Sequence, residues 1–329
     1  MNKIFVTGAY GFIGQSVCQA LVAVNKSVHG AVRSLNSFSA VADAEYTAVG
    51  DINFEINWKS LLANFDCVIH CAGRAHVMNE PNTDSLEAYR LANVEATKRL
   101  AMQAAAAGVK RMIFLSSVKV NGENTNESLY NLSLSKDKKK IFTYKDKPAP
   151  ENSYGVSKLE AETALWEVSV KTGLEVIVLR LPLVYGEGVK GNLNRLLKLV
   201  RSGMPLPFGM IKNQRSMIGL DNLIDVIIRC IDHPKAAGKT FLLSDGEDLS
   251  TPDLLRHMAS SMECSVRLLP IPVSLLKFAG FILKRQNEID RLVGSLKVDS
   301  LYTREILDWT PRVSVEQGIR QMVISNLKS

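Results

Sequence analysis

A glycine-rich turn between a strand and a helix, within the first fourteen residues, constrains this chain more than any other feature. A short apolar run ends in Thr7, and Gly8, Gly11 and Gly14 follow at a spacing of three. Glycine allows a sharp turn at the first position, approach of a pyrophosphate to the backbone at the second, and close packing of helix on strand at the third. The helix N-terminus adds unpaired N–H groups and a positive dipole end. An ordinary tight turn is the alternative, but the strand-to-helix context favours a phosphate-binding turn.

The composition is that of a globular protein with one large or two modest domains. Of 329 residues, 46% are hydrophobic and 22% are charged, enough to bury a core without disulfides. The net charge is +7, but aromatic residues make up only 7% and the basic residues are dispersed. Nucleic-acid binding would need basic residues clustered with stacking aromatics, so we expect no nucleic-acid partner. An anionic substrate accounts for part of the positive charge, and the lysine-rich run at 136–140 is predicted to be a solvated loop.

The cysteines indicate a reducing compartment. They are odd in number and lack C-x-x-C spacing: Cys18, Cys67, Cys71, Cys230 and Cys264. We expect free thiols in the cytosol. His70 and Cys71 adjoin on a predicted strand and would point to opposite faces, which argues against a metal site. The chain opens on a strand with no room for a signal peptide and has no apolar run of about 18 residues, so we expect a cytoplasmic protein without a membrane span.

Strands and helices alternate through the first part of the chain, including a predicted strand at 46–52 and a long predicted helix at 84–107. This alternation predicts an α/β fold, a Rossmann-like doubly wound parallel sheet covered by helices on both faces. After that, amphipathic helices and proline-containing turns dominate. We expect a dinucleotide-binding domain at 1–181, joined by strand and helix segments at about 213–246. A smaller, mostly helical substrate-binding lobe is expected to comprise 182–212 and 247–329.

The end of the second predicted strand carries Arg33, followed by a serine. In folds specific for NAD, an acidic residue about 20 positions past the glycines binds the ribose 2′-hydroxyl, whereas an arginine nearby accommodates a 2′-phosphate. No acid occupies this position here. The sequence therefore favours NADP(H) over NAD(H), with a surface arginine at a strand end as the alternative.

Hydroxyl groups and a tyrosine–lysine pair follow later in the chain. Ser116 and Ser117 end the fifth predicted strand, and open parallel sheets bind ligands beyond the carboxyl ends of their strands. Tyr154 and Lys158 stand four residues apart at the start of the next helix, on one helical face. Alone, this pair would be read as a surface pair. Because it follows the serine strand end and the glycine turn, the tyrosine–lysine pair becomes a specific indication of an active site.

The turn Thr-Gly-x-x-Gly-Phe-Ile-Gly, the serine strand end and Tyr-x-x-x-Lys together resemble the extended short-chain dehydrogenase/reductase family, typified by nucleotide-sugar epimerases. The resemblance covers essentially the whole chain. It implies that Ser117, Tyr154 and Lys158 are the catalytic triad, with Ser116 as a structural neighbour. It also implies a nicotinamide cofactor on the larger lobe, a nucleoside-diphosphate sugar, usually UDP-linked, beneath the smaller lobe, and a homodimer formed through the helices that start near residues 84 and 154.

The resemblance also assigns binding residues. Those expected to bind the cofactor are Gly8, Tyr10, Gly11, Phe12, Ile13, Gly14, Arg33, Asp51, Ile52, Cys71, Ala72, Gly73, Tyr154, Lys158 and Pro182. Asp51 is expected to meet the adenine amino group, and the small-residue turn at 71–73 lies beside the cofactor ribose. Ser117 is expected to contact the sugar. Arg215, with Arg291 and Asn192, is expected to clamp the substrate diphosphate, because a guanidinium fork suits phosphate oxygens.

The implied chemistry is hydride transfer at C4 of the sugar, which requires the attached hydroxyl to lose or gain a proton. Tyrosine has a free pKa near 10 and is a poor base at neutral pH. We expect the Lys158 cation to lower the pKa of Tyr154 and to hold the nicotinamide ribose.

Three departures from the epimerase pattern leave the reaction open. Many sugar epimerases carry Tyr-Gly where this chain has Asn121 and Gly122, and an asparagine where it has Leu183. Arg33 is the third departure, and it tilts the prediction toward an NADPH-dependent 4-keto-sugar reductase of surface-polysaccharide metabolism. A UDP-glucose or UDP-N-acetylglucosamine 4-epimerase is the alternative, and a non-catalytic NADP-binding regulator is a second alternative.

Two further segments carry predictions. The polar stretch 123–150 is long for a connection and is expected to be a loop that flanks the sugar pocket. The stretch 270–283 is apolar and is followed by Lys284 and Arg285. Packing within the smaller lobe is the expectation for it. A helix that lies weakly on a membrane surface is the alternative, and would be compatible with a lipid-linked sugar.

Overall fold

The computed structural model describes residues 3–36, 40–53, 55–75, 85–125 and 141–328. The strands of the described residues are β1 (Lys3–Thr7), β2 (Ser27–Val32), β3 (Ala44–Ala48), β4 (Cys67–His70), β5 (Arg111–Ser117), β6 (Glu175–Leu181), β7 (Leu183–Tyr185), β8 (Met217–Gly219) and β9 (Lys239–Leu242). Seven of them form one sheet in the order β3-β2-β1-β4-β5-β6-β9, and all its pairings are parallel. This is the doubly wound, Rossmann-like sheet that the alternating pattern predicts.

The strand order reverses at β1, which pairs with β2 on one side and β4 on the other. Thr7, the last residue of β1, stands opposite Ala31 on β2 and His70 on β4. Connections leave β1 and β4 toward opposite faces at this point, so a crevice opens beyond their carboxyl ends. The glycine turn therefore lies at the position where open sheets of this kind bind ligands.

The helices cover both faces of the sheet and form most of the C-terminal part. They are α1 (Phe12–Ala23), α2 (Ser85–Arg90), α3 (Ala96–Ala106), α4 (Ser153–Thr172), α5 (Asn192–Arg201), α6 (Leu220–Asp232), α7 (Thr251–Ser261), α8 (Val273–Ile282), α9 (Gln286–Val293), α10 (Leu301–Leu307) and α11 (Val315–Lys328). Helices α1 and α6 pack together on one face, and α3 and α4 on the other. The inner strands β1, β4, β5 and β6 are almost entirely buried and are accordingly rich in apolar residues, whereas the edge strand β3 is half-buried or exposed.

A second apolar core lies outside the sheet. Tyr185, Leu255, Met258 and Ile319 are among its buried residues, and helices α5, α7 and α11 contribute to it. Strands β7 and β8 form a small parallel pair beside it. The C-terminal part does not pack on this core alone, because Trp309 is buried in the core of the large sheet. The domain boundaries inferred from the sequence remain predictions.

Several elements differ from the sequence-based expectations. The third strand ends at Ala48, so Asp51 and Ile52 lie in the connection after it and not within the strand. The long helix is interrupted by a π-helical segment at Leu91–Glu95 between α2 and α3. Its predicted first residue, Asp84, and residues 126–140 of the predicted loop lie outside the described residues.

Candidate active site

The glycine turn has the geometry that its sequence predicts. Gly8 adopts φ +66°, and a Cβ atom there would approach the backbone nitrogen of Ala72 to 2.8 Å. A Cβ at Gly14 would collide with the carbonyl of Gly8, whose oxygen also accepts a hydrogen bond from the N–H of Gly11 at 2.8 Å. Side chains are thus excluded where the helix and the end of β4 meet the turn. The turn fits a pyrophosphate, because its backbone is left open to a ligand.

Helix α1 begins immediately after this turn. Its N-cap, Gly11, provides no side-chain hydrogen bond, and its first turn contains no acidic residue. Phe12 and Ile13 form that first turn and pack in part against the apolar cores, whereas Tyr10 is exposed beside it. The N–H groups and dipole of a helix start without a side-chain cap suit an anion.

A buried histidine joins the ends of β1 and β4 beneath the turn. The Nδ1 atom of His70 lies 2.6 Å from the hydroxyl of Thr7, and its Nε2 atom lies 2.9 Å from the hydroxyl of Thr97 on α3. Burial, aided by the cation of Lys158, lowers the pKa of His70 to about 3. The ring is therefore neutral and ties the strand ends to a helix. The sequence alone does not indicate this role, since a histidine in a strand carries no pattern of its own.

Ser117, Tyr154 and Lys158 converge at the end of β5. The side chains of Ser117 and Tyr154 share a hydrogen bond. The Nζ atom of Lys158 donates to the backbone carbonyl of Leu115 at 2.8 Å and lies 4.4 Å from the centre of the Phe114 ring. The asparagine cap of α4, Asn152, accepts a hydrogen bond from Gly155 and so fixes the start of the helix that carries Tyr154 and Lys158.

The protonation of this group follows from burial. Burial raises the pKa of Tyr154 to about 12, and the hydrogen bond with Ser117 offsets part of that rise. Burial lowers the pKa of Lys158 to about 8, and the carboxylate of Glu162 opposes this change. The expectation that Lys158 lowers the pKa of Tyr154 is therefore not met, because desolvation of the phenolate outweighs the other influences on Tyr154.

The small-residue turn after β4 lies next to this group. Cys71, Ala72 and Gly73 are partly or fully exposed, and a Cβ atom at Gly73 would lie 3.4 Å from Nζ of Lys158. A larger residue at position 73 would therefore crowd the lysine. The turn after β4 thus brings its own backbone close to the ammonium group of Lys158 at the crevice.

Asn93 holds this turn from the π-helical segment. It accepts a hydrogen bond from the N–H of Arg74 at 2.8 Å and donates to the carbonyl of Arg74 at 3.1 Å and to the hydroxyl of Ser157 at 3.0 Å. π-helical segments within α-helices often occur at functional sites. Here the segment places the buried side-chain amide of Asn93 in hydrogen bonds with both the turn after β4 and helix α4, which carries Lys158.

A buried ion pair lies behind the catalytic candidates. The guanidinium of Arg180 donates to the carboxylate of Glu162 at 2.7 Å and to the side-chain oxygen of Asn121 at 3.1 Å, and Ser116 donates to the same carboxylate. Ser116 thus belongs to a buried structural network, as the resemblance implies. Glu162 stands one helical turn after Lys158, so its charge faces the same region. No pattern around Glu162 in the sequence indicates that its side chain is buried.

The two residues expected at the adenosine end pair with each other. The Nε atom of Arg33 lies 2.6 Å from the Oδ1 atom of Asp51, and both side chains are exposed. Ile52 packs partly against the core on the α3–α4 face. Pro182 is buried between β6 and β7.

The three residues expected to bind the diphosphate lie on neighbouring elements. The Nη1 atom of Arg215 donates to the carbonyl of Arg291 at 2.6 Å and to the carbonyl of Gly294 at 3.3 Å. Within the described part of the chain, the Nε and Nη2 atoms of Arg215 make no hydrogen bond. Asn192 is exposed at the start of α5, which an ion pair between Arg195 and Glu288 links to α9, the helix that carries Arg291.

The fold and this crevice define a class, that of enzymes that bind a nicotinamide dinucleotide at the carboxyl edge of a parallel sheet. Residues 4–243 match the NAD dependent epimerase/dehydratase family. The chain is 40% identical to UDP-glucose 4-epimerase of Vibrio cholerae over 322 residues, which are 97% of this chain and 94% of the relative. The protein belongs to the NAD dependent epimerase/dehydratase family.

Solved structures agree with the fold. UDP-glucose 4-epimerase of Thermotoga maritima, determined with UDP-glucose, superimposes with a TM-score of 0.77 at 20% identity and covers 99% of both chains. UDP-glucuronic acid 4-epimerase of Bacillus cereus, determined with NAD, gives the same TM-score of 0.77 at 20% identity and 99% coverage of both chains. None of the helices described here is long and apolar enough to cross a membrane.

Proposed function

We propose that this protein is a UDP-sugar 4-epimerase that acts by removing and returning a hydride at C4 of the sugar. The convergence of Ser117, Tyr154 and Lys158 at the carboxyl end of β5 carries this proposal. The 40% identity to a UDP-glucose 4-epimerase along nearly the whole chain supports the substrate class. The glycine turn supports the cofactor, because its backbone suits a pyrophosphate.

In this proposal the chain's own residues position the cofactor. Gly8, Gly11 and Gly14 hold the pyrophosphate against the start of α1, and Lys158, beside Gly73, holds the nicotinamide ribose. The remaining contacts are those expected from the sequence, including Asp51, Ile52, Cys71, Ala72 and Pro182. The bound nicotinamide supplies the acceptor and donor of the hydride.

Tyr154 exchanges the proton of the C4 hydroxyl, and Ser117 orients the same oxygen through its own hydroxyl. A phenol whose pKa is raised to about 12 loses its proton only where a positive charge compensates. Lys158 stands one helical turn after Tyr154 on the same face of α4, and with a pKa lowered to about 8 it remains mostly charged at neutral pH.

The substrate diphosphate is proposed to bind at Arg215, with Arg291 and Asn192. The carbonyls of Arg291 and Gly294 hold one nitrogen of the Arg215 guanidinium. Its other two nitrogens are proposed to bind the phosphate oxygens. Burial lowers the pKa of Arg215, and the carboxylate of Glu123 opposes that change. A guanidinium fixed in this way is suited to a planar, two-point contact with phosphate oxygens.

One observation favours a second candidate, an NADPH-dependent 4-keto-sugar reductase. Arg33 stands after β2, where an acidic residue would bind the 2′-hydroxyl of NAD. Asp51 pairs with Arg33 and supplies a negative charge nearby. The site therefore has a cation for the 2′-phosphate of NADP and an anion for the 2′-hydroxyl of NAD. A preference for NADP(H) is thus a separate proposal from the epimerase activity.

We also infer a cytoplasmic homodimer. All five cysteines are free thiols, which suits a reducing compartment. The helices expected at the dimer interface pack together, and they leave Leu91, Met102 and Val170 exposed.

Product analysis tests the proposed reaction. The protein is incubated with UDP-glucose, UDP-N-acetylglucosamine and a UDP-4-keto-6-deoxy sugar, each with and without NADPH, and products are identified by NMR and mass. Conversion to the 4-epimer without added NADPH supports the epimerase, whereas an NADPH-dependent gain of two hydrogens supports the reductase. Cofactor binding without conversion of any of the three contradicts both enzymes and favours the non-catalytic regulator.

The Tyr154→Phe variant tests the assigned proton transfer. It keeps the ring and removes the hydroxyl, so turnover is expected to fall at least about a hundredfold, in the range of general acid–base contributions. Tyr302→Phe, which removes a hydroxyl from a tyrosine stacked on Tyr144, is the matched control and should leave turnover unchanged. Unchanged turnover in Tyr154→Phe with intact cofactor binding contradicts the role of Tyr154.

A further inference from the structure

Helix α8 (Val273–Ile282) turns an apolar face to solvent. Leu275 is 55% exposed, Phe278 63%, Phe281 69% and Ile282 61%, and Leu283 directly after the helix is 67% exposed. The expected packing of this segment within the smaller lobe therefore holds for only part of it. Apolar residues exposed singly are normal, but a contiguous patch of large side chains marks an interaction site.

The orientation of the helix accounts for this exposure. Leu276 and Gly280 are its buried residues, and they stand four apart on one face. Gly280 lies close against α9, because a Cβ atom there would approach Cγ1 of Ile289 to 2.7 Å. Leu275, Phe278 and Ile282 stand at i, i+3 and i+7, which places them on one stripe away from the buried face. The apolar stripe is consequently directed outward by the packing of α8 on α9.

The charges within the segment that carries the stripe have one sign. From Val273 to Arg285 the chain contains Lys277, Lys284 and Arg285 and no acidic residue. Lys277 lies 3.7 Å from Asp290 and Arg285 lies 3.8 Å from Glu288, both on α9 and so on the protein side of α8. Lys284 has no carboxylate partner among the described residues.

We propose that the exposed face of α8, with Leu283 and the following cations, docks on an anionic lipid bilayer. Short helices that lie in a membrane interface combine phenylalanine and leucine on one face with lysine and arginine at its border. The apolar side chains enter the boundary between headgroups and acyl chains, and the ammonium and guanidinium groups remain at the level of the lipid phosphates. The apolar stripe of α8 matches the boundary with the acyl chains, and the cations at its border match the lipid phosphates.

Charge complementarity distinguishes this occupant from a second copy of the chain. Asp290 and Glu288 lie beside Lys277 and Arg285, whereas Lys284 has no carboxylate partner among the described residues, so two copies that met face to face through α8 would bring two uncompensated lysines together. Like charges brought together in this way oppose association. An anionic bilayer offers the opposite charge across the whole face.

Docking would bring the bilayer close to the substrate-side elements. Helix α8 packs on α9, and α9 carries Arg291, whose carbonyl accepts the hydrogen bond from Arg215. The bilayer contact requires neither Arg215 nor the catalytic group at β5. The proposal thus goes beyond the proposed reaction and can fail without affecting it.

Vesicle flotation of the full-length protein tests the proposal. Vesicles of phosphatidylcholine alone are compared with vesicles in which about a third of the lipid is phosphatidylglycerol. The wild-type protein is expected to float with the anionic vesicles and to bind pure phosphatidylcholine at least about tenfold less, with salt weakening the anionic binding. Equal binding to both vesicles, or binding to neither, overturns the proposal.

Paired variants test the surface itself. Phe278→Ser/Phe281→Ser is expected to reduce binding to anionic vesicles at least about tenfold, because the anchors of the stripe are lost. Leu301→Ser/Leu327→Ser, at residues 58% and 45% exposed on other helices, is the control and should bind as the wild type does. Turnover in the absence of vesicles reports that both variants are folded. An equal loss in the control overturns the assignment to α8.

A charge variant and a sedimentation measurement complete the test. Lys284→Glu/Arg285→Glu should reduce binding to anionic vesicles while leaving the apolar stripe intact. Sedimentation velocity without lipid shows whether α8 joins two copies of the chain. If Phe278→Ser/Phe281→Ser converts a dimer to a monomer and leaves vesicle binding unchanged, the face is a self-interface and the proposal is wrong.

Discussion

Arg33 and Asp51 form an ion pair beyond the carboxyl ends of β2 and β3, with 2.6 Å between Nε and Oδ1. Arg33 follows β2, and Asp51 lies in the connection after β3. The backbone joins the same two segments, since the N–H of Gly50 donates to the carbonyl of Arg33 at 3.2 Å. A cation and an anion therefore stand together at the position that we propose for the ribose 2′ substituent, the group that distinguishes NADP from NAD.

Replacing Arg33 tests whether its positive charge or the negative charge of Asp51 determines the dinucleotide preference. Arg33→Asp is expected to weaken NADPH binding relative to NADH at least about tenfold, because it removes the counter-charge of a 2′-phosphate and adds an acceptor for the 2′-hydroxyl. Fluorescence titration of both dinucleotides measures the ratio. Asp51→Asn is the matched variant and should shift the ratio toward NADPH by leaving Arg33 unpaired. A wild-type protein that binds both dinucleotides equally contradicts the proposed preference.

The buried pair between Glu162 and Arg180 predicts a large effect on stability. The side chain of Glu162 is 2% exposed and that of Arg180 7%. Glu162→Gln removes the charge and leaves the guanidinium without its counter-ion, which is expected to lower the free energy of unfolding by about 3 kcal/mol. Urea denaturation followed by circular dichroism measures the change.

Glu160 on the same helix provides the control. It pairs with Arg90 at 2.6 Å, but the two side chains are 32% and 49% exposed. Glu160→Gln is therefore expected to change the free energy of unfolding by less than about 1 kcal/mol, as exposed ion pairs contribute little. If Glu162→Gln and Glu160→Gln lower the free energy of unfolding by similar amounts, burial does not determine how much each ion pair contributes to stability.

The sequence predicted the sheet and the place of the site because both follow from local patterns. Apolar runs alternate with helical periodicity, and the motif residues stand at strand ends or at the start of a helix. In a parallel sheet those ends meet at one edge, so the pattern places Gly8 and Ser117 at that edge, and the family resemblance adds Tyr154 to them. The catalytic and binding roles of these residues stay predictions.

Other features depend on contacts that no local pattern records. Glu162 reads as an ordinary polar residue of a helix, and it is buried only because Arg180 on β6 lies beside it. His70 is bound from both sides by hydroxyls of β1 and α3. The apolar composition of α8 predicted burial, but a short helix that packs on α9 through one face leaves the rest in solvent. In each case the residues that pack against the side chain or helix determine whether it is buried.

The pKa of Lys158 predicts the alkaline limit of activity. Burial lowers this pKa to about 8, so the ammonium group loses its proton above that pH and no longer compensates a phenolate at Tyr154. We expect kcat/KM to fall above about pH 8 when initial rates are measured across pH 6 to 10. Lys158→Arg keeps the charge throughout this range, so its residual activity should show no fall near pH 8. A fall at the same pH in both proteins would assign it to another group.

The buried neutral state of His70 predicts a loss of stability in acid. The folded protein holds the pKa near 3, mainly through burial, whereas the unfolded chain has a pKa near 6.5. Between these values the unfolded state binds more protons, so the free energy of unfolding falls as the pH falls from about 6.5 toward 3, by up to about 1.4 kcal/mol per pH unit. Urea denaturation at several pH values measures the slope for the wild type, for His70→Gln and for the partly exposed control His257→Gln. His70→Gln should lose this part of the slope and His257→Gln should keep it, whereas equal slopes in all three proteins would contradict a buried neutral His70.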